Sequence, residues 1–304
     1  MQLGLGGAQF GLDYGVSNAG GKTAPDEVAR ILAHAQREGI DLLDTAALYG
    51  DSETAIGAAL PPEQACRVVT KTPVFEAARI GEPETATLRS AFARSLVRLR
   101  RPQVYGLLIH APGDLLKPGG ERLWQAMCGL KQAGQVAKIG FSAYTGAEID
   151  ALLARFRPDL VQVPLNALDQ RLLHDGHLAR LKGIGAEVHA RSIFLQGLLL
   201  MELDRLPPQL REFDDELGKY AEFLRLNGMG RLEGALQFIR GVGLVDVALI
   251  GVNAEAQLRD CISAFRAGGG VTDFSEIACS RESLLNPASW PTKEQLKGTA
   301  ACGS

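Results

Sequence analysis

The sequence predicts an α/β fold, a single (β/α)8 TIM barrel with a C-terminal extension. Three observations predict it. Short apolar runs of strand character alternate with amphipathic helical stretches eight times in one continuous order. The runs are apolar almost throughout, as strands of an all-parallel sheet covered by helices are. No charge run, low-complexity tract or linker interrupts the repeat. Eight such units close into a barrel more readily than they form an open sheet. The 304 residues, 46% hydrophobic and 22% charged, suit one barrel. Its expected extent is 1–286, with 287–304 a poorly ordered tail.

The first strand is expected over 3–9, followed by a glycine-rich loop to Gly21. The T-A-P-D run at 23–26 resembles a capping box, with Val28, Ile31, Leu32 and Ala35 as the apolar stripe and Gly39 as the stop. The second strand covers 40–44. A short helix over 52–60 follows, capped by Ser52, with Glu53 in its first turn and Pro61 and Pro62 as its stop. The third strand, 67–71, precedes a helix with Leu88, Phe92, Leu96 and Leu99 on one face, ended by Pro102. The fourth, 104–110, leads to a helix carrying Leu123, Met127 and Leu130. The fifth, 136–142, leads to one carrying Ile149, Leu152, Leu153 and Phe156.

After the sixth strand, 160–163, a weaker helix surrounds Leu178 and Leu181. The seventh strand covers 186–192. Residues 195–228 are long for one connection and are expected to hold a helix around Leu217, Tyr220 and Leu224. The eighth strand, 246–252, precedes a helix with Leu258, Ile262 and Phe265, and 275–285 is read as helical.

Composition narrows the function. Lys plus Arg is 32 and Asp plus Glu 35, a net charge of −3, so no electrostatic footprint for nucleic acid or an anionic membrane is present. The apolar stretches 193–201 and 241–252 are too short to span a bilayer. The first residues lack a basic region followed by an apolar core, so a cytoplasmic protein is expected. The 5 cysteines are scattered without a C-x-x-C pair, as reduced thiols of such a protein are. His174 and His177 stand three apart without evident further ligands, and no metal is expected.

The densest chemistry is D-T-A-A-L-Y-G-D-S-E at 44–53. It leaves a strand with a carboxylate, crosses a loop bearing a phenol and enters a helix. In a barrel of this kind the active site lies at the C-terminal strand ends, which here carry Asp44, then Tyr49, with Lys71 closing the third strand and His110 the fourth. A nearby ammonium is expected to lower the phenol's pKa and make Tyr49 a usable acid. Asp44 is the neutralising partner of Lys71, and His110 can orient a carbonyl oxygen. Together they suit protonation of a carbonyl oxygen while a hydride attacks its carbon.

These residues resemble the aldo-keto reductase superfamily. Its D-T-A-x-x-Y-G-x-S-E signature stands unchanged at 44–53, its lysine falls on V-T-K-T at 69–72, and its histidine on L-I-H at 108–110. The resemblance runs from G-G-A-Q-F-G at 6–11 to Gly251. It implies Asp44, Tyr49, Lys71 and His110 as the catalytic set, and a nicotinamide nucleotide across the barrel mouth.

For that cofactor the resemblance implies Gly7 and Gln9 after the first strand. It places Ser142 and Gln162 on the nicotinamide carboxamide, together with Asn166. Ala143 departs from the family's asparagine, and Leu165 from its tyrosine. The run R-S-I-F-L-Q-G at 191–197 implies Arg191, Ser192, Phe194, Gln196 and Gly197 as the segment stacking on nicotinamide and cradling the pyrophosphate. Many relatives have an aromatic ring where Arg191 stands; it either meets the cofactor or pairs with a carboxylate. The run G-V-N-A-E-A-Q at 251–257 implies Gly251, Val252, Asn253 and Gln257 at the adenosine phosphate. NADPH is expected, with NADH the alternative because no Lys or Arg stands between Gly251 and Leu258.

The leading reading is therefore an NADP-dependent oxidoreductase acting on a small carbonyl substrate. A non-catalytic nucleotide-sensing subunit and a Schiff-base aldolase using Lys71 are the alternatives. Substrate choice is expected in the loop after the first strand, in 111–117, in 195–228 and in the tail. Tyr14 either lines the cleft or covers the rim. Oligomeric state carries no sequence signal.

Overall fold

In the computed structural model, which describes residues 1–268, 270, 272–291 and 295–296, eight parallel strands close on themselves in chain order. They are β1 (Gln2–Gly6), β2 (Leu42–Asp44), β3 (Arg67–Lys71), β4 (Val104–Ile109), β5 (Val136–Ser142), β6 (Leu160–Pro164), β7 (Glu187–Arg191) and β8 (Val247–Gly251). Closure is made by β1 against β8, with Gln2 opposite Val247 and Gly6 opposite Gly251. The helices pack their apolar faces on the outward strand residues. Val28, Ile31 and Leu32 from Pro25–Arg37, and Leu88 and Phe92 from Glu82–Leu99, join Leu5, Leu43, Val68 and Leu107 in one buried core.

The barrel interior is separate from that core and is layered. Leu42, Val247 and Leu249 form one small apolar cluster, and Val69, Leu108 and Leu160 another; Tyr105 packs on both. Side chains alternate along a strand, so the residues two places further on share the upper layer of the interior. Those residues are Asp44, Lys71, His110, Gln162 and Gly251. At the opposite mouth, Glu187 accepts from the Tyr105 hydroxyl at 2.6 Å and pairs with Lys138 and with His189 Nε2. An apolar plug thus divides two polar ends.

Several elements differ from expectation. β1 ends at Gly6, not residue 9. The Gly7 N–H donates to Asp44 O at 2.7 Å and the chain turns into the one-turn helix Ala8–Gly11, which carries Gln9. β2 starts at Leu42 because the Ile40 N–H still belongs to the preceding helix end, donating to Ala35 O. The expected capping box at 23–26 is absent: Ala24 is the N-cap, and Thr23 Oγ1 instead accepts from Asn253 Nδ2 at 3.4 Å.

Between β7 and β8, after three short 3-10 segments, there are two α-helices rather than one. Asp214–Leu226 is the expected helix, and Arg231–Gly241 is additional. Its buried face is Ala235, Leu236, Phe238 and Ile239, with Glu233 accepting from the Gly230 N–H. Within 275–285 only the turn Ser275–Ile277 and the single helical turn Glu282–Leu285 form.

Of the expected tail, Trp290 is buried against Phe213 with Nε1 donating to Ser283 O at 2.8 Å. Residues 292–294 and 297–304 lie outside the described residues. Among the described residues no helix is long and apolar enough to cross a membrane.

Candidate active site

The loop carrying Tyr49 is tied down before the phenol is placed. The Thr45 N–H donates to Val69 O at 2.8 Å, and the Ser52 N–H to Tyr49 O at 3.0 Å. Ser52 does not cap its helix as expected. Its hydroxyl donates to Gly7 O at 2.7 Å and meets Thr45 Oγ1 at 2.8 Å, joining the first and second βα loops. Gly11 is required here by close approach: a Cβ on it would lie 1.7 Å from Tyr49 O. Glu53 is 1% exposed and is structural in geometry, accepting from Thr70 Oγ1 at 2.6 Å and Arg98 Nε at 2.7 Å. It bolts Ser52–Ala59 to β3 and to Glu82–Leu99.

Above the plug, Lys71 Nζ donates to Asp44 Oδ1 at 2.8 Å, to Oδ2 at 2.7 Å and to Thr45 O at 3.0 Å. Gln162 Nε2 donates to Asp44 Oδ1 at 2.7 Å from across the barrel. The ammonium stands over the Tyr49 ring, 5.0 Å from its centroid, and the His110 ring meets Tyr49 edge-on at 5.7 Å. The four residues expected at the rim are therefore together. Lys71 lies beneath, while Asp44, Tyr49 and His110 line a cavity of about 670 Å³.

The charge states follow from burial. His110 is pushed down to about 4 by desolvation and by the Lys71 ammonium, so its ring is neutral at pH 7. Desolvation lowers Lys71, and Asp44 opposes the shift. The Tyr49 phenol is held above its ordinary value, by burial first and then by the Asp44 carboxylate, while Arg191 pulls it down. The expected lowering by Lys71 is absent. That ammonium is neutralised in place by Asp44 and stands over the ring.

Most of the expected cofactor residues line the same cavity. Gly7, Gln9, Ser142 and Gln162 do so from the loop after β1 and from the ends of β5 and β6; Arg191, Ser192, Phe194, Gln196 and Gly197 do so at and after the end of β7; Gly251, Val252, Asn253 and Gln257 do so at and after the end of β8. Ala143 and Asn166 do not, being fully buried. Asn166 Oδ1 accepts from the N–H groups of Leu168 and Asp169 at 3.0 and 2.9 Å, and its Nδ2 donates to Ser192 O at 3.2 Å. It shapes the neighbouring loops from behind.

The cavity has the marks of a built site. Ser192, Leu195 and Gln196 all have positive φ, at 60, 47 and 55°, a cost that persists only where surroundings hold it. At Gly251 a Cβ would sit 2.3 Å from Gln9 Nε2, so the Gln9 amide packs directly on the Gly251 backbone in the wall. These features fit a dinucleotide in size and in polar lining. Lining residues that the sequence reading passed over include Tyr144, Asn18, Leu232 and Asp260. Tyr144 follows the matched segment at 140–143 directly and was the one within reach of a motif argument. Tyr14 lines the cleft, its phenol pushed up to about 12, chiefly by burial.

His174 and His177 go to separate partners: His174 Nε2 meets Gln170 Oε1 at 3.0 Å and His177 faces Asp150 at 3.4 Å.

A model of the aldo/keto reductase family matches residues 2–274. Among solved structures, an aldo-keto reductase from Bacillus halodurans in its holo form superposes with a TM-score of 0.74 at 22% identity, covering 91% of this chain and 92% of that one. A glycerol dehydrogenase from Gluconobacter oxydans superposes with a TM-score of 0.69 at 24% identity, covering 94% and 92%. At such identities the likeness is one of fold. A comparison with curated proteins returned no match.

Proposed function

The chain belongs to the aldo/keto reductase family, and from that premise we propose that it reduces an aldehyde or ketone to an alcohol, with Tyr49 as the proton donor. The observation that carries the reading is the Lys71–Asp44 pair locked beneath the Tyr49 ring, with the His110 ring at its edge. A nicotinamide nucleotide bound in the cavity supplies the hydride.

The residues divide the remaining work. Tyr49 keeps its proton at neutral pH, since its pKa stands above the ordinary value, and releases it to an oxygen that becomes an alkoxide. The Lys71–Asp44 pair fixes the position of the ring, and Arg191, which pulls the phenol's pKa down, favours the negative charge developing there as the proton leaves. His110, neutral, can donate one ring N–H to the carbonyl oxygen and hold it facing Tyr49. Ser142 and the Oε1 of Gln162 would hold the carboxamide, and the strained wall from Ser192 to Gly197 the phosphates.

For the nucleotide, the lining that follows β8 supports NADH over the NADPH expected from resemblance. Asn253, Gln257 and the Asp260 carboxylate stand there, and among the described residues no Lys or Arg does. A carboxylate suits a 2′-hydroxyl and repels a 2′-phosphate. Lys71 is not set up as a Schiff-base nucleophile, because Asp44 and Thr45 occupy all three of its N–H donors.

Fluorescence titration with NADH and NADPH, followed by 4-nitrobenzaldehyde reduction by wild type and Tyr49→Phe, tests the proposal. Nucleotide binding with turnover lost in Tyr49→Phe is expected. Failure to bind either nucleotide would sink the reading, and binding without turnover of a panel of aldehydes would leave a nucleotide sensor.

A further inference from the structure

Arg191 is the one permanent cation in the lining of the catalytic cavity among the described residues. It ends β7, and its guanidinium stands over the Tyr144 ring, with Cζ 4.0 Å from the ring centroid. Its NH1 donates to Ser192 Oγ and its NH2 to Ala143 O, both at 3.3 Å. Both acceptors are neutral, and among the described residues no Asp or Glu forms an ion pair with it. A guanidinium has five N–H donors, so most of this fork is uncommitted.

The rest of the catalytic end is electrically balanced. Lys71 and Asp44 cancel, and His110 is neutral. The Asp44 carboxylate is thus already held by Lys71 and Gln162. That leaves a half-buried positive charge without a counter-charge, a costly arrangement unless an arriving group completes it. A planar fork on an aromatic face is suited to a carboxylate, which it can grip at two points. The phenols of Tyr14 and Tyr144 line the same cavity as further donors. The electrostatic reach of Arg191 includes Tyr49, His110 and Tyr14, so it belongs to the end where the carbonyl is placed.

We propose that Arg191 is a recognition residue for substrates that carry a carboxylate as well as the reacting carbonyl, making oxo-acids the substrate class. The assignment rests on the reductase reading for its chemistry but not for its test. The shared chemistry is anion binding, and its other possible source is a phosphate of the nucleotide.

Calorimetry separates these. Binding of 4-(hydroxymethyl)benzoate and of its methyl ester is measured with and without saturating NADH, a pairing that cannot turn over. Wild type is expected to bind the carboxylate at least about tenfold more tightly than the ester, the discrimination of one charge-assisted contact. Arg191→Met should lose that ratio, and Arg191→Lys should recover part of it, which also guards against a misfolded Met variant. Equal affinities in wild type, or a ratio that survives in Arg191→Met, would overturn the proposal. So would a tenfold loss of NADH affinity in Arg191→Met with the ratio intact, which would give the arginine to the nucleotide phosphate. Turnover of 4-carboxybenzaldehyde and methyl 4-formylbenzoate is read alongside. A binding ratio without turnover upholds the anion site and refutes the reductase reading, whereas turnover without a ratio does the reverse.

Discussion

Lys71 and Asp44 meet at two points, 2.8 and 2.7 Å, with side chains 1% and 7% exposed. Thr45 O and Gln162 Nε2 complete the set, so one carboxylate ties β2 to β3 and, across the barrel, to β6. The pair acts as a single neutral unit whose positive end is fixed under the Tyr49 ring.

Asp44→Asn should leave an uncompensated buried ammonium and lower stability by about 3–5 kcal/mol. The double variant Asp44→Asn with Lys71→Met should be more stable than Asp44→Asn alone. Urea denaturation of the three proteins checks this, and a double variant no more stable than the single one would remove the pair as the origin of the loss.

His110 gives a pH dependence of known sign. In the unfolded chain its ring titrates near the ordinary 6.5, and in the fold at about 4. Between those values the unfolded chain binds the extra proton. Its contribution to stability is therefore complete above pH 6.5 and is lost progressively as pH falls toward 4. Denaturation midpoints at pH 7, 5.5 and 4.5 should fall less steeply for His110→Gln than for wild type. Parallel curves would contradict the depressed ring.

Gly11→Ala drives a methyl into Tyr49 O, 1.7 Å away before relaxation. Displacing the phenol by even about 1 Å can cost roughly 100-fold in rate. Aldehyde reduction should therefore fall much further than NADH affinity. Gly129→Ala, on a helix where a Cβ meets nothing, should instead gain about 0.5–1 kcal/mol and keep activity. Equal effects of the two substitutions on turnover would refute the close-approach argument.

Glu53→Gln keeps the shape of its side chain but discards the charge that Arg98 contacts at 2.6 Å. A loss of about 1.5–3 kcal/mol is expected, as for hydrogen bonds to charged groups. Because Glu53 lies outside the cavity lining, the KM for aldehyde should stay within twofold. A large KM change with unchanged stability would give Glu53 a place in the site that its geometry denies.

Much of the fold was legible because strand ends are marked by abrupt changes in polarity. β3 and β5 coincide with the expected 67–71 and 136–142, each with a polar residue at one boundary, Thr72 after β3 and Gln135 before β5. Arg231–Gly241 escaped notice because Gly234 interrupts its apolar stripe; that glycine makes room for Leu224 of the preceding helix. The end of β1 was misplaced for a related reason. Residues 3–9 look extended locally, and only the bond from the Gly7 N–H to Asp44 O turns the chain there.

In the site, residues carried by the 44–53 motif were legible and their side-chain partners were not. Ser52 has the composition of a cap and makes a cross-link instead. Asn166 has the composition of a ligand contact and braces two loops. Tyr144 and Asp260 lie outside the residues matched by motif and reach the cavity through barrel closure.

By itself, then, the sequence determined the order of strands and helices and the two-residue alternation that lifts Asp44, Lys71, His110 and Gln162 onto one layer. Both are properties of the local chain, set by side-chain period and polarity. Only the tertiary structure decided what those side chains do to one another. Asp44 and Gln162 are 118 residues apart in the chain and 2.7 Å apart in space. The neutral His110, the raised Tyr49 and the uncompensated Arg191 are consequences of burial and of which charges burial pairs, and no local pattern encodes either.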